Sequence, residues 1–214
     1  SISQPFVKDP TEYDDILGHA LLDADRASQY RRGTGGIGWL VATVRCELAY
    51  YHCRLSQSMA KPTEGSWRAL CDCLRYLAAT ADLGIRAPMH ADAADWQHFV
   101  DAAHAGNPKI DLKCRPQQGV VTVLNGAPVL WKSFLGGTAV AFPELAPDGH
   151  SVRSSGEAET FAASNAVDEI LHLSYVVEEL GLEPLPRPFP LQCDATVAIA
   201  FGRAESGRSR MKHL

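Results

Sequence analysis

Acidic side chains stand at the predicted ends of helices and strands in several parts of this 214-residue sequence. Glu157 and Glu159 lie at the start of a predicted helix, and Asp92 and Asp194 each follow a short predicted strand. Elements that are far apart in a chain can end at one edge of a fold. We therefore expect some of these four carboxylates to meet and to form one acidic site.

The two glutamates also have a simpler interpretation. Ser154 and Glu157 have the spacing of a capping box, in which a hydroxyl and a carboxylate satisfy free backbone amides of the first helical turn. The helix dipole alone favours acidic side chains in that turn. On local sequence, Glu157 and Glu159 are ordinary cap residues, so a catalytic role depends on the residues that the fold brings to them.

The helix that carries these glutamates is the longest convincing helix of the sequence. Apolar residues repeat at helical spacing over residues 163–180. Gly181 and Pro184 then predict its end, because glycine is common just after a helix and proline cannot continue one.

Strands are predicted on both sides of this helix. Residues 120–124 and 127–131 predict a β-hairpin, because Asn125-Gly126 between them is the preferred dipeptide of a type I′ turn. Residues 191–193 predict a short strand that leads to Asp194, and residues 195–201 predict a further helix. A mixed sheet with helices packed on it accommodates this order of elements.

Two other stretches have weaker patterns. Residues 95–104 predict a small helix, and residues 136–150 predict a loop with at most one short strand. A strand ending at Asp92 would precede both.

The first half of the chain is predicted to be helical. Residues 1–29 are polar and predict an irregular lead-in with one short helix. An apolar face from Tyr30 to Met59 then predicts one long helix, and Thr63 precedes a second helix. With a boundary near Pro88, we predict a helical segment over residues 1–88 and an α/β domain over residues 89–214.

The glycines from Gly33 to Gly38 match the dinucleotide-binding pattern G-x-G-x-x-G. That pattern requires a buried strand directly before it, and the polar residues 23–32 cannot form one. The glycines instead predict close helix packing or an irregular helix start.

Composition limits the class of protein. Hydrophobic residues make up 46% of the chain and the formal net charge is -5, which describes a soluble globular protein without broad affinity for nucleic acid. No apolar run reaches the length of a membrane-spanning helix. The six cysteines lack zinc or redox spacing and predict reduced, intracellular thiols. A start at Ser1 is compatible with removal of a targeting peptide, so the compartment stays open.

Several motifs are similar in type and order to one family. In the family they read YRxxxGxLxYLxxT, LSxxMxxPTxxHWxAxxRxLRYL, WKS, SSTEAE, CDNxSAI and RTKHID. Together they resemble the C-terminal part of copia-type retrotransposon polyproteins, which contains the tail of reverse transcriptase and the ribonuclease H domain. The matching segments here are Tyr30-Arg31 with Gly35, Leu40 and Thr43; Leu55 to Glu64, Trp67 to Leu70 and Leu74 to Leu77; Trp131-Lys132-Ser133; Ser154 to Glu159; Cys193 to Ile199; and Arg210 to Leu214.

The resemblance implies a ribonuclease H-like fold preceded by a connection segment, and a ribonuclease H-type endonuclease for RNA in RNA–DNA hybrids. In the family, four carboxylates hold two divalent ions, Mg²⁺ or Mn²⁺. By motif position Asp92, Glu159 and Asp194 correspond to the first three, with Asp95 an alternative to Asp92. The fourth carboxylate of the family follows the position of Leu214.

Two functions remain open at this point. The first is the metal-dependent nuclease, in which Arg208, Arg210 and Lys212 contact phosphates; the same three residues also fit a solvated basic tail. The second is a catalytically silent domain, recruited from a retroelement as a structural or interaction subunit of a larger assembly with protein partners. The catalytic carboxylates of a polymerase are absent from the sequence, so no polymerase activity is predicted.

Overall fold

The computed structural model describes residues 4–6, 8–88, 94–103, 115–136, 138–139, 151–152, 155–194 and 199. The chain divides into two compact units, a first unit of residues 1–86 and a second unit of residues 87–214. Among the described helices, none is long and apolar enough to cross a membrane.

The first unit is helical. Its elements are α1 (Pro10–Leu17), α2 (Ala24–Thr43), a 3₁₀ helix (Cys46–Leu48), α3 (Ala49–Ser56) and α4 (Glu64–Ala79). A single apolar core holds them together, with Tyr30, Ile37, Leu48, Leu55 and Cys73 at most 1% exposed.

The prediction of one helix from Tyr30 to Met59 is wrong at its middle. Helix α2 begins earlier, at Ala24, and the backbone leaves helical geometry at Val44 and Arg45 before the 3₁₀ helix starts. Arg45 turns inward and is 4% exposed, with its Nη2 donating to the Thr80 hydroxyl at 2.7 Å. Apolar spacing continues on both sides of the break, so periodicity alone could not reveal it.

Two glycines of α2 permit close helix packing, as the sequence predicts. A Cβ atom on Gly33 would lie 3.0 Å from the Leu70 side chain of α4. On Gly38 it would lie 2.6 Å from Nε2 of His52 in α3. The glycines lie inside a helix, so the dinucleotide-binding pattern is also rejected by the structure.

The second unit contains a mixed sheet and one long helix. Strands β1 (Trp96–Ala102), β2 (Gln117–Leu124), β3 (Ala127–Leu135) and β6 (Leu191–Gln192) form a sheet in the order β3-β2-β1-β6, in which only the β1–β6 pairing is parallel. Strands β4 (Thr138–Ala139) and β5 (Ser151–Val152) pair separately, and α5 (Ser155–Glu179) connects them to β6. The predicted mixed α/β architecture is confirmed at this level.

The predicted hairpin is confirmed. Asn125 and Gly126 have φ angles of 51° and 80°, which a type I′ turn requires at both central positions. The short strand before Asp194 is confirmed as β6.

The predicted helix over residues 95–104 is wrong, because this stretch is strand β1. Trp96, His98 and Val100 are buried, whereas Phe99 and Asp101 are exposed, which is the period-two pattern of a strand with one covered face.

Helix α5 covers this face of the sheet. Near its start Ala162 and Ala166 pack against Val100 and Val120, and their small side chains allow a close approach. Further along, Ile170 and Val177 pack with Trp96 and Leu185. The helix ends at Glu179, with Gly181 at φ 68°, as the sequence predicts.

Other predictions fall on residues that the structure does not describe. These are the cap at Ser154, the strand ending at Asp92, most of the loop 136–150, and the helix 195–201 apart from Ile199.

Candidate acidic site

Two aspartates follow paired positions on the parallel strands β1 and β6. His98 pairs with Leu191 and Phe99 pairs with Gln192. Asp101 and Asp194 each lie two residues beyond Phe99 and Gln192. Parallel neighbouring strands end at the same edge of a sheet, so this register brings both carboxylates to one edge.

Helix α5 adds Glu159 to this edge. The Glu159 side chain is buried, at 6% exposure, and its Oε1 accepts a hydrogen bond from the backbone N–H of Ala102 at 3.2 Å. Its Oε2 accepts from the Cys193 thiol at 3.7 Å. One ligand atom from each of Glu159, Cys193 and Asp194 lies within 4.8 Å of the other two. The structure therefore brings together Glu159 and Asp194, two of the residues predicted from the sequence.

Glu157 is also buried, at 4% exposure, but it cannot join Glu159 at this edge. Residues two positions apart lie about 200° apart around an α-helix, on nearly opposite sides.

The electrostatics of Glu159 follow from this position. Burial raises the pKa of its carboxyl most strongly, and the negative charges of Asp101 and Asp194 raise that pKa further. The hydrogen bonds from Ala102 and Cys193 act in the opposite direction on the pKa. Negative charge therefore accumulates at the site, and a bound cation would relieve the repulsion.

The donor set of this site fits a hard divalent cation. Carboxylate oxygens are the ligands that Mg²⁺ and Mn²⁺ prefer, and at this edge three carboxylates stand on two strand ends and one helix. A groove of about 500 Å³ runs alongside the two aspartates. It is lined by Phe99, Val100, Asp101, Gly119, Val121, Gln192, Cys193 and Asp194.

Asp101 lies at this edge of the sheet and is not among the carboxylates predicted from the sequence. The signal in the sequence is the alternation of Trp96, His98 and Val100 followed by an acid, which indicates a strand and not the small helix predicted for residues 95–104. Asp92, predicted as the first carboxylate, lies outside the described residues.

The alternative, Asp95, lies at the other end of β1. Its backbone N–H donates to Oδ1 of Asn125 in the hairpin turn at 2.8 Å. At about 3.3 Å per residue, the backbone of Asp95 is about 20 Å from that of Asp101, so Asp95 is not part of the site. The basic residues Arg208, Arg210 and Lys212 lie outside the described residues.

Comparison with known proteins gives two similar relatives. They are the retrovirus-related Pol polyproteins from transposons RE2 and RE1 of Arabidopsis thaliana, each 31% identical to this chain over 194 residues. The match covers 87% of this chain and 12% of each polyprotein, so the chain spans about an eighth of the length of these relatives. No family model matches the sequence. No solved structure matches it either.

Proposed function

Because this chain is related, over most of its length, to one segment of the Pol polyproteins of copia-type retrotransposons, we propose that its second unit is a ribonuclease H-like domain. The domain hydrolyses the RNA strand of RNA–DNA hybrids. The observation that carries the proposal is the convergence of Asp101, Glu159 and Asp194 at one edge of the sheet. The helical first unit is, in this proposal, the connection segment of the reverse transcriptase.

The three carboxylates have different parts in the proposed reaction. Glu159 is buried and both its oxygens accept hydrogen bonds, so it is a fixed ligand. Asp101 and Asp194 are exposed at the strand ends, where they can hold a cation and still face the substrate. Mg²⁺ or Mn²⁺ would be held by these three residues; when bound, such ions activate water and stabilise the leaving oxygen.

In this proposal Asp101 takes the part that the resemblance implies for Asp92, which lies outside the described residues. It lies next to the last residue of a described strand, and its charge acts on Glu159. Discrimination of the hybrid would come from duplex shape and from 2′-hydroxyl groups. Arg208, Arg210 and Lys212 remain proposed phosphate contacts.

The test is cleavage of a hybrid with labelled RNA in Mg²⁺, with duplex DNA of the same sequence as substrate control. We expect the RNA strand of the hybrid alone to be cut. Asp101→Asn, Glu159→Gln and Asp194→Asn should each lower the rate more than about 100-fold, because each removes a cation ligand. Asp95→Asn, directly before the start of the same strand, is the matched control and should cleave normally.

The silent domain is the other outcome of this test. A folded chain that binds the hybrid or a protein partner but does not cleave in Mg²⁺ or Mn²⁺ would favour a recruited structural or interaction subunit. Equal rates for Asp101→Asn and the unaltered chain would remove Asp101 from the site while leaving the nuclease in place.

A further inference from the structure

Cys193 lies between strand β6 and Asp194, at the edge of the sheet that carries the acidic site. Its side chain packs on the α5 side, against the cluster that contains Val100, Val120 and Ala162. Leu191, two residues earlier, packs against the same cluster. The Cys193 thiol is therefore directed at α5, where Glu159 is buried.

The Glu159 carboxylate is held at both oxygens. The backbone N–H of Ala102 donates to Oε1 at 3.2 Å, and the Cys193 thiol donates to Oε2 at 3.7 Å, a normal length for a hydrogen bond from sulfur. Each donor is the chain neighbour of a site aspartate, since Ala102 follows Asp101 and Cys193 precedes Asp194. The two bonds therefore fix the plane of the carboxylate with respect to both strand ends.

A thiol suits this position because it donates without carrying a positive charge. A lysine or arginine donor would neutralise Glu159 and repel a divalent cation. Each carboxylate oxygen can accept at two places, so the bonds from Ala102 and Cys193 leave one place on each oxygen for a cation. Groups that orient metal ligands in this way typically affect metal affinity by about 10- to 100-fold.

We propose that Cys193 is a positioning residue, whose thiol holds Oε2 of Glu159 so that the carboxylate stays directed toward Asp194 for binding a divalent cation. This inference rests on the proposed function, because it assigns Cys193 a part in the same acidic site. Cys193 acts through Glu159 and touches neither substrate nor reacting atoms.

The test separates the donated hydrogen bond from packing. Cys193→Val retains side-chain bulk but has no donor, Cys193→Ala has neither, and Cys193→Ser retains a donor on a shorter bond. Cys71→Ala, in helix α4 of the first unit, is the matched control for loss of a thiol. For each variant of the full chain we would measure Mg²⁺ affinity by calorimetry and the midpoint of thermal unfolding in EDTA.

We expect Cys193→Val and Cys193→Ala to bind Mg²⁺ about tenfold more weakly, with Cys193→Ser between them and the unaltered chain. Cys71→Ala should bind with unchanged affinity. Among the Cys193 variants, the midpoint of thermal unfolding in EDTA should not fall in parallel with the affinity for Mg²⁺. Asp95→Asn should leave the affinity for Mg²⁺ and the midpoint of unfolding in EDTA unchanged.

Two results would overturn the assignment of Cys193 and leave the proposed function standing. In the first, the Ala and Val variants bind Mg²⁺ with full affinity. In the second, Val restores the affinity that Ala loses, which assigns the effect to packing. Absence of Mg²⁺ and Mn²⁺ binding by the unaltered, folded chain would overturn the proposed function and the role of Cys193 with it.

Discussion

The buried carboxylate of Glu159 accepts a hydrogen bond from the backbone of Ala102, at 3.2 Å, and so joins the first turns of helix α5 to the end of strand β1. This bond satisfies the backbone amide of the last residue of β1. It also places a negative charge beside Asp101 and Asp194, where that charge costs folding free energy. The same side chain thus connects two elements and opposes their association electrostatically.

Glu159→Gln should therefore stabilise the chain in the absence of divalent ions. The glutamine carbonyl can still accept from Ala102, while the buried negative charge is removed. We expect the free energy of unfolding in EDTA to rise by about 1 kcal/mol, as is common when a destabilised functional site is neutralised. Urea denaturation in EDTA measures this. A loss of stability would mean that the charge of Glu159 is compensated in the fold.

The pH dependence of stability should reflect the same carboxyl. Its pKa in the folded chain is raised above the usual 4.5, so the unfolded state releases the proton more readily. The contribution of Glu159 to stability is therefore present below pH 4.5 and is lost as the pH rises through the higher folded pKa. Denaturation in EDTA at a series of pH values should show this loss, and Glu159→Gln should abolish it.

The contribution of His98 to stability should depend on pH in the opposite direction to that of Glu159. Its ring is fully buried beside Trp96 and shares a hydrogen bond of 3.0 Å with the Thr122 hydroxyl. Burial lowers its pKa below 6.5, so the neutral form is favoured in the folded chain. The contribution of His98 to stability is fully present above pH 6.5. It is lost as the pH drops through the window between 6.5 and the lower folded pKa.

His98→Gln tests this assignment, with His172→Gln as control, because His172 is exposed on α5. The His98 variant should lose stability at all pH values through poorer packing, and it should also lose the decline below pH 6.5. The His172 variant should retain that decline. An unchanged pH profile in His98→Gln would assign the decline to another group.

Replacing either of two glycines of the first unit by alanine should change the stability of the chain in opposite directions. A Cβ on Gly65 would lie 2.4 Å from Oδ1 of Asp14 and 2.6 Å from the carbonyl oxygen of Pro10. Gly65→Ala should therefore destabilise the chain by about 2–3 kcal/mol. Gly35 lies in α2 with no atom within 4 Å of such a Cβ, so Gly35→Ala should stabilise by about 0.5–1 kcal/mol. Thermal unfolding of both variants would measure the difference.

Local signals in the sequence were sufficient for some elements and not for others. The hairpin is correctly predicted because Asn125-Gly126 requires positive φ angles that only a few residue types adopt. Helix α4 and the end of α5 also follow from their own residues. Strand β1 does not follow from its own residues, because a stretch with Gln97, Asp101 and Ala102 has weak strand propensity. Its pairing with β2 and β6 involves distant parts of the chain.

Because strand β1 is not predicted from the sequence, the position of Asp101 at its end is not predicted either. Asp194 and Glu159 could be identified because motifs surround them, and the structure brings them together. Asp101 could be recognised only with the parallel register of β1 and β6, which no local pattern contains. The break in the predicted helix at Arg45 is a similar case, because the hydrogen-bond partner of the buried Arg45 side chain is the distant Thr80.

The two-residue strand β6 also sets when the acidic site can exist during synthesis. Asp101 leaves the ribosome before α5, whereas Cys193 and Asp194 emerge only after the whole of α5. A chain interrupted after β3 but before β6 could form the β1–β2–β3 meander but would have a single aspartate at that edge. Assembly of the site is therefore a late event, and a nascent or prematurely ended polypeptide would lack it.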